Sequence, residues 1–287
     1  MSIVYLNGEF MPATHARISP LDRGFVFADG IYEVIPVYHG HLFRLDDHLQ
    51  RLDHSLEGIR LKQPLKHAQW KKILVELIVK NGGGDLSVYL QVTRGAAPRD
   101  HAFPANASPT IFAMATPLKP LPQEILDKGV AAITLEDIRW KYCHIKSIAL
   151  LPNILLRQQA LDEGAAEAIL VRDGKITEGA ASNVFIVSRN RLITPPKGPF
   201  LLPGITRDLV LELAQHHGIP AQEADISLKD LQDADEIWIT SSTREIVPVT
   251  KLDGKPVRSG NPGPVWSRVT QLYQQYKRDL QKPVETT

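Results

Sequence analysis

Short β-rich runs and helical runs alternate on both sides of a proline-rich stretch near residue 120, and this alternation limits the folds open to the chain. In the first half, Asn7-Gly8 and His39-Gly40 each lie between apolar-rich runs, which predicts two β-hairpins. The other elements predicted in this half are helices within 45–61 and 67–83 and strands within 87–95 and 109–116. Asp46 is a candidate N-cap of the first helix.

The second half repeats the alternation, with Asp173-Gly174 as a turn and Gly218 placed to end a helix. Its predicted elements are strands or hairpins within 129–140, 166–179, 183–195 and 235–242 and helices at 205–218 and 263–280. Prolines and polar residues at 117–123 indicate the connection between the halves. We therefore predict an α/β (α+β) chain of two domains: an N-terminal α/β domain at 1–119, an interdomain linker at 120–128 and a C-terminal α/β domain at 129–287.

Composition excludes several classes of protein. The chain has 287 residues, 43% hydrophobic and 23% charged, with a net charge of +1 and scattered basic residues, so no nucleic-acid partner is expected. No run approaches the roughly 20 apolar residues that span a bilayer, so no membrane association is expected either. The N-terminus shows no secretory signal pattern, and Cys143 is the only cysteine, so a reducing, cytoplasmic setting is expected.

The segment "KYCHIKSIALLPN" at 141–153 places Lys146 among apolar residues. A desolvated ammonium group costs stability unless the group loses its charge, and a neutral amine suits Schiff-base chemistry with an aldehyde or ketone. The alternative is a lysine whose stem lies along apolar surface while its amino group reaches water. This segment alone does not decide between the two.

Three other segments carry polar groups in positions that suit a phosphorylated ligand. In "LLPGITRDLV", Gly204 precedes a helix start at Ile205 and Thr206, where free backbone N–H groups can bind phosphate, although a plain capped turn has the same pattern. Hydroxyls cluster at 240–243 after an apolar strand, which also suits an ordinary turn. In "KITEGAASNVF", Glu178 precedes a glycine and small residues, but it could equally be a solvated glutamate at the end of a hairpin.

The order of these signals resembles the class IV aminotransferase family, the pyridoxal-phosphate enzymes of fold type IV. Five stretches carry the resemblance and span nearly the whole chain: "DRGFVFADGIYEV" at 22–34, "RWKYCHIKS" at 139–147, "TEGAASNVF" at 177–185, "GITRD" at 204–208 and "TSSTREIVPV" at 240–249. Within the family the likeness is strongest to the branch that acts on D-amino acids, because of the stretch "YLQVTRGAAPRDHAFP" at 89–104. The resemblance implies a fold type IV enzyme with pyridoxal 5'-phosphate bound at the domain interface.

The resemblance also implies roles for individual residues. Lys146 would form the Schiff base with the cofactor aldehyde and then transfer a proton, and Glu178 would pair with the pyridine nitrogen. Contacts to the cofactor's phosphate are implied for four residues: Arg51, Ile205, Thr206 and Ser242. No compact cluster of metal ligands is evident, so no metal is predicted.

Substrate selection is implied to rest on Tyr32, Arg99 and His101, which would hold the α-carboxylate of a D-amino acid. The family takes the arginine and histidine from the neighbouring subunit, so a homodimer is implied, with small-molecule D-amino acids and 2-oxo acids as substrates. Without the resemblance, Tyr32 could be a packed strand aromatic, and Arg99 and His101 could be solvated loop residues.

The predicted function is ping-pong transfer of an amino group between a D-amino acid such as D-alanine and a 2-oxo acid such as 2-oxoglutarate or pyruvate. Alternatives within the family are a branched-chain L-amino-acid aminotransferase, an (R)-selective amine transaminase and aminodeoxychorismate lyase, and a binding protein without turnover is the non-enzymatic alternative. The chain departs from the family pattern at Ala180 and Ala181, where serines are found, at Ser242, where threonine is common, and at Pro203.

Overall fold

The computed structural model describes residues 2–280, which divide into two compact units. Unit 1 comprises the residues up to Lys119 together with Ile145–Leu150, and unit 2 comprises Pro120–His144 together with the residues from Leu151 onward. The predicted domain limits stay a prediction, but two details of the structure differ from them. The segment that carries Lys146 groups with unit 1, and the predicted linker contains a helix.

Unit 1 contains six strands and three α-helices. In chain order these are β1 (Ile3–Leu6), β2 (Glu9–Pro12), α1 (Arg23–Phe27), β3 (Gly30–Tyr38), β4 (His41–Leu42), α2 (Leu45–Gly58), α3 (His67–Lys80), β5 (Leu86–Thr93) and β6 (Thr110–Pro117). A single 3-10 turn covers Ala13–His15. The strands form one antiparallel sheet in the order β2-β1-β6-β5-β3-β4.

Both hairpins predicted for this half are confirmed. Asn7 and Gly8 join β1 to β2, and His39 and Gly40 join β3 to β4. All four residues have positive φ, from 49° at Asn7 to 105° at Gly8, as expected for a two-residue turn whose twist matches that of its strands. The capping role predicted for Asp46 is wrong, because α2 begins at Leu45 after Arg44 and Asp46 lies within the first turn.

One face of the six-stranded sheet is buried against α2 and α3. Alternate residues along each strand point to this face, so Ile31 and Ile35 of β3 pack with Val88 and Leu90 of β5 and with helix residues such as Leu52. The opposite face carries half-buried side chains, among them those of Tyr32 and Tyr89. The sheet therefore has one side committed to the core and one side available for a site.

The segment Ile145–Leu150 is fixed to unit 1 by backbone hydrogen bonds. Tyr32 N donates to Lys146 O at 2.9 Å, and Ile148 N donates to Gly30 O at 3.1 Å, so the segment adds a short bridge along β3. Lys146 N donates to Ser55 Oγ at 3.1 Å. These contacts hold Lys146 between the start of β3 and the buried face of α2.

Unit 2 contains nine strands and five helices. In chain order these are α4 (Gln123–Lys128), β7 (Val130–Glu136), α5 (Leu151–Asp162), β8 (Glu167–Arg172), β9 (Lys175–Gly179), β10 (Asn183–Ser188), β11 (Arg191–Thr194), α6 (Ile205–His216), β12 (Ala221–Glu223), α7 (Leu228–Gln232), β13 (Glu236–Ser241), β14 (Glu245–Leu252), β15 (Lys255–Pro256) and α8 (Pro264–Asp279). The sheet is mixed, in the order β12-β11-β10-β13-β14-β7-β8-β9, with β15 paired to β14. Its strands predicted from apolar runs are confirmed, as are α6 and α8.

Two buried polar groups shape the core of unit 2. Glu236 accepts hydrogen bonds from the backbone N–H groups of Val265 and Trp266, at 2.9 and 2.8 Å, and so caps α8. The carboxylate of Glu167 accepts a hydrogen bond from Ser182 Oγ at 3.0 Å, beneath the loop that follows β9. None of the helices in residues 2–280 combines the length and apolar character needed to cross a bilayer.

A fully buried carboxylate lies in the core of unit 1. Glu33, on β3, accepts hydrogen bonds from Arg51 Nε and Nη2, both at 2.8 Å, and lies 2.8 Å from His48 Nδ1. Burial alone would raise the pKa of Glu33, but the Arg51 guanidinium and the His48 hydrogen bond outweigh it and hold the pKa well below its usual value. Glu33 is therefore ionised and stabilises the folded chain at neutral pH.

We expect Glu33→Gln to lower the free energy of unfolding by about 3–5 kcal/mol at neutral pH, because Arg51 would be left as a buried charge without its carboxylate. Since the pKa of Glu33 is lowered on folding, this loss should be complete above the usual glutamate pKa of 4.5 and should shrink as the pH falls below it. Urea unfolding of the wild-type and Glu33→Gln proteins, at pH values above and below 4.5, measures the difference in the free energy of unfolding. Glu57→Gln, an exposed position on α2, is the control; an equal loss in both variants would contradict the prediction.

Candidate functional site

Lys146 is half-buried, and its ammonium group lies against an aromatic ring. Nζ is 4.2 Å from the centroid of the Tyr32 ring, a distance typical of a cation–π contact. The backbone of Lys146 is fixed on both sides, by Tyr32 N and by Ser55 Oγ. The apolar neighbours in sequence thus anchor the segment, while the amino group stays on the open side of the sheet.

Tyr32 is stacked on a second tyrosine of the same sheet face. The Tyr32 and Tyr89 rings are 5.7 Å apart at an interplanar angle of 26°, and Tyr89 Oη donates to Gln91 Oε1 at 2.6 Å. Burial, aided by nearby Tyr32, raises the pKa of Tyr89 to about 12, so its hydroxyl stays protonated. The orientation of the Tyr32 ring is therefore fixed between Tyr89 and Lys146.

Arg51 lies on α2 with its guanidinium held by Glu33. His48, one turn earlier, also contacts this carboxylate, and burial lowers the pKa of His48, with Arg51 and Lys146 adding to the effect. His48 is thus neutral at neutral pH, with Nε2 buried and without a hydrogen-bond partner within residues 2–280. Arg51 and His48 thus share the single carboxylate of Glu33 in this part of unit 1.

Arg99 and His101 lie together on the exposed loop between β5 and β6. Both contact Phe27 of α1, with the Arg99 guanidinium 5.0 Å and the His101 ring 5.3 Å from its centroid. Neither makes a hydrogen bond, ion pair or ring contact with Tyr32 in the described chain. The structure brings the predicted pair together, therefore, but does not join it to Tyr32 within one subunit.

Glu178, on β9, is a buried carboxylate that three other segments of unit 2 contact through Arg139, Asn183 and Leu202. Oε1 accepts a hydrogen bond from Arg139 Nη1, and Oε2 accepts from Leu202 N at 3.0 Å and from Asn183 Nδ2 at 3.1 Å. Burial raises the pKa of Glu178 to about 7, although Arg139 and the Leu202 N–H oppose the rise. The carboxyl group of Glu178 thus has a pKa close to neutral pH, and a further cationic partner would stabilise its ionised form.

Arg139 is oriented by a second carboxylate. Asp137, at the end of β7, accepts from Arg139 Nε at 2.8 Å and Nη2 at 3.0 Å, and from Thr177 Oγ1 at 3.0 Å. Burial disfavours the Arg139 cation, but the two carboxylates outweigh it and raise its pKa above the usual value. Arg172 adds a hydrogen bond to Arg139 O at 2.7 Å. The cation beside Glu178 is therefore permanent and fixed in place.

The start of α6 has the features of an anion site. Gly204 is the N-cap and supplies no side chain to the first N–H groups of the helix, so those of Ile205 and Thr206 are left for another acceptor. Thr206 is buried at this end and brings a hydroxyl. Leu202, two residues before the N-cap Gly204, donates its backbone N–H to Glu178. A hydrogen bond therefore links the carboxylate to the loop that leads into α6.

The predicted hydroxyl cluster only partly follows the strand: Thr240 and Ser241 are the last residues of β13, and Ser242 and Thr243 lie in the turn after it. Ser242 lies in the turn between β13 and β14, and Thr240 pairs in register with Asn183 of β10. Thr240 Oγ1 is buried and has no hydrogen-bond partner within residues 2–280. An uncapped helix start, an unpartnered hydroxyl and a buried carboxylate together fit a ligand with an anionic group and a basic nitrogen.

The two alanines that depart from the family pattern differ in exposure. Ala180 is buried, with N donating to Ala168 O at 2.9 Å and O accepting from Asn153 Nδ2 at 2.8 Å. Ala181 is exposed on the same loop. Relative to the serines of the family pattern, the chain therefore lacks one buried hydroxyl, at Ala180, and one exposed hydroxyl, at Ala181.

The sequence did not predict several residues that surround the buried carboxylates of Glu33 and Glu178, nor the structural role of Glu33 itself: Glu33, His48, Asp137, Arg139, Asn183 and Leu202. A charged residue inside an apolar strand was the available signal for Glu33, and the pair Asp137 and Arg139 next to a strand end was a weaker one. Cys143 is buried and its pKa is raised to about 11, which makes it unreactive. Among residues 2–280, His, Cys, Asp and Glu side chains form no group of three or more that could hold a metal ion.

Comparison with known proteins identifies relatives over almost the whole chain. The D-alanine aminotransferase of Bacillus licheniformis is 42% identical over 266 residues, which cover 93% of this chain and 94% of the relative. The D-alanine aminotransferase of Staphylococcus epidermidis is 39% identical over 276 residues, 96% of this chain and 98% of the relative.

Solved structures with the same fold include branched-chain aminotransferases. That of Escherichia coli superposes with a TM-score of 0.93 at 27% identity, covering 99% of this chain and 97% of the other. That of Thermoproteus uzoniensis, crystallised with norvaline, has a TM-score of 0.89 at 27% identity, covering 98% and 96%. The family model for class IV aminotransferases matches residues 30–252, and the chain belongs to this family.

Proposed function

We propose that this protein is a pyridoxal 5'-phosphate-dependent transaminase that moves amino groups between D-amino acids, such as D-alanine, and 2-oxo acids. The observation that carries the cofactor assignment is the buried Glu178, bonded to the turn that leads into the uncapped start of α6. The near full-length relatives named D-alanine aminotransferases support the substrate class. A cytoplasmic location is also part of the proposal, supported by the single cysteine.

When bound, the cofactor supplies an aldehyde that takes up the amino group and a ring that withdraws electrons. Lys146 would hold the cofactor through its side-chain amine, and its Nζ would serve as the base that accepts and returns the proton at the substrate's Cα. Glu178 holds a proton on the ring nitrogen, since an N–H cation compensates a carboxylate that water does not reach.

The phosphate is bound by the start of α6. The N–H groups of Ile205 and Thr206 and the hydroxyls of Thr206 and Ser242 donate to its oxygens, and the helix dipole favours the negative charge. Arg51 is proposed as a further phosphate partner. Its bidentate bond to Glu33 fixes the plane of its guanidinium for that role.

The substrate's α-carboxylate is held by Tyr32 together with Arg99 and His101 of the partner subunit in a homodimer. The exposure of Arg99 and His101, and their packing on Phe27 without a contact to Tyr32 within the described residues, support a role outside their own subunit. Fixing the carboxylate on one side of the cofactor determines which face of Cα meets the Lys146 amine. This geometry selects the D-enantiomer.

Lys146→Ala should abolish the visible absorbance of the holoenzyme and lower kcat with D-alanine by at least about 100-fold, because both covalent attachment and proton transfer depend on this amine. Absorbance spectra and steady-state kinetics measure the two effects. Lys141→Ala, an exposed lysine of the same segment, is the matched control. A Lys146→Ala protein that keeps its colour and turnover would exclude the assignment.

An amino-donor panel separates the proposed activity from its family alternatives. We expect turnover of D-alanine to exceed that of (R)-1-phenylethylamine by about 100-fold, since the amine has no carboxylate and a lost charge-assisted hydrogen bond costs about 1.5–3 kcal/mol. Turnover of L-leucine should be lower by a similar factor, because with its carboxylate held in the same place the Cα hydrogen faces away from Lys146. The branched-chain alternative, favoured by the solved structures of the same fold, predicts L-leucine instead. Pyruvate release from aminodeoxychorismate would indicate the lyase.

Arg99→Ala should raise the KM for D-alanine by roughly 10–100-fold, because the carboxylate loses a charged hydrogen-bond donor. Arg191→Ala, an exposed arginine of β11, should leave the KM unchanged. Steady-state kinetics at saturating 2-oxoglutarate measure both variants.

Subunit mixing tests the contribution of the partner directly. If Arg99 acts in the neighbouring site, a heterodimer of Lys146→Ala and Arg99→Ala subunits contains one site with both residues intact. Refolding the two variants together should then restore turnover of D-alanine at the wild-type KM, which neither variant shows alone. No recovery in verified heterodimers would place Arg99 in its own subunit's site or outside any site.

A further inference from the structure

Asn183 makes three contacts with a single planar amide. Nδ2 donates to Glu178 Oε2 at 3.1 Å and to Leu202 O at 2.8 Å. Oδ1 lies against Gly204, where a Cβ would come within 2.0 Å of it. The side chain is buried at the first residue of β10. One amide thus touches the carboxylate, the loop and the N-cap of α6.

The orientation of this amide follows from its partners. Both groups near Nδ2 are acceptors, so exchanging the amide oxygen and nitrogen would set Oδ1 against a carboxylate oxygen and a carbonyl oxygen. Asn183 therefore has one arrangement in which its hydrogen bonds are satisfied. Aspartate at this position would have the same shape but no N–H to donate.

Gly204 is required by space rather than by backbone conformation. Its φ of −72° is open to any residue, and the N-cap position favours serine, threonine, asparagine or aspartate over glycine only in part. A side chain here would displace Asn183 Oδ1, and with it the Nδ2 group bonded to Glu178. The packing of residue 204 and the position of the carboxylate are therefore linked.

We propose that Asn183 is a positioning residue that couples Glu178, the partner of the cofactor ring, to the turn at Leu202–Thr206 that binds the cofactor phosphate. This inference rests on the proposed function, since it assigns ring and phosphate contacts to these two groups. The ring end of the site, at Glu178, and the phosphate end, at the turn, are then not independent. A change at Glu178 alters the affinity of the turn for phosphate, and Asn183 transmits the change.

The physical basis is the shared hydrogen bonding of one side chain. Without Nδ2, Leu202 O loses its donor and Glu178 Oε2 keeps only Leu202 N, so loop and carboxylate are joined by one bond instead of three. Arg139 still holds Oε1, and its Nη2 donates to Phe200 O at 3.1 Å, earlier in the same loop. Loss of Asn183 should therefore loosen the turn at Leu202 and Gly204 without releasing the carboxylate.

A double-mutant cycle on the full-length apoprotein tests the coupling, with inorganic phosphate as the probe of the turn and pyridoxal as the probe of the ring end. Glu178→Gln should weaken phosphate binding by about fivefold in the presence of Asn183 and by no more than about twofold when Asn183→Ala is also present, because only the direct contact of residue 178 with Leu202 N then remains. Calorimetric titration measures both affinities. Asn153→Ala is the matched control: within residues 2–280 the Asn153 side chain bonds to Ala180 O, and its loss should leave the effect of Glu178→Gln intact.

An equal effect of Glu178→Gln on phosphate affinity in both backgrounds would overturn the proposal. If Asn183→Ala fails to fold, Asn183→Asp replaces it in the same cycle, because it keeps the shape and removes the donor. Gly204→Ala gives a second readout: it should weaken phosphate binding in the wild-type background and do so less when Asn183→Ala removes the crowded oxygen. These affinities are measured without turnover, so a wild-type enzyme that does not use D-alanine would refute the proposed function while the coupling is still scored.

Discussion

The ion pair between Glu178 and Arg139 is the constraint on which the organisation of unit 2 depends. A carboxylate removed from water is costly unless charged and polar groups surround it. Here the groups that surround Glu178 of β9 come from three other segments: the residues after β7, the start of β10 and the loop before α6. Satisfying one buried charge therefore fixes Glu178 relative to the loop that leads into the start of α6.

Unit 1 uses the same principle with a different outcome. Glu33 is held by Arg51 and His48 so strongly that its pKa is lowered, whereas the pKa of Glu178 is raised despite Arg139. The difference lies in the balance of partners, since Glu33 receives both guanidinium bonds of Arg51, while Arg139 divides its bonds between Glu178 and Asp137. One carboxylate is a fixed structural charge, and the other is poised to exchange its proton near neutrality.

The hairpins at Asn7-Gly8 and His39-Gly40 and the helix α6 were predictable, because their signals are local: turn residues with positive φ and apolar residues at helical spacing. Lys146 and Glu178 were predictable from the family resemblance. Contacts between distant segments were not, such as the bonds from residues 146 and 148 to β3, since they depend on tertiary packing. Helix α5 was also missed, because its exposed apolar side chains, including Leu151, Ile154 and Leu155, obscure the helical period.

The fold by itself does not determine the substrate. Branched-chain aminotransferases superpose on nearly the whole chain, and relatives named D-alanine aminotransferases are similar over nearly the whole sequence, so this fold is compatible with more than one substrate class. Discrimination between D- and L-amino acids must then come from side chains outside the common fold. The loop between β5 and β6 is the candidate, because it is exposed, contacts Phe27 and carries Arg99 and His101. Under the proposed function, a carboxylate held by this loop would present a defined face of Cα to the amine of Lys146, so the stereochemistry would depend on the loop and the proton transfer on Lys146.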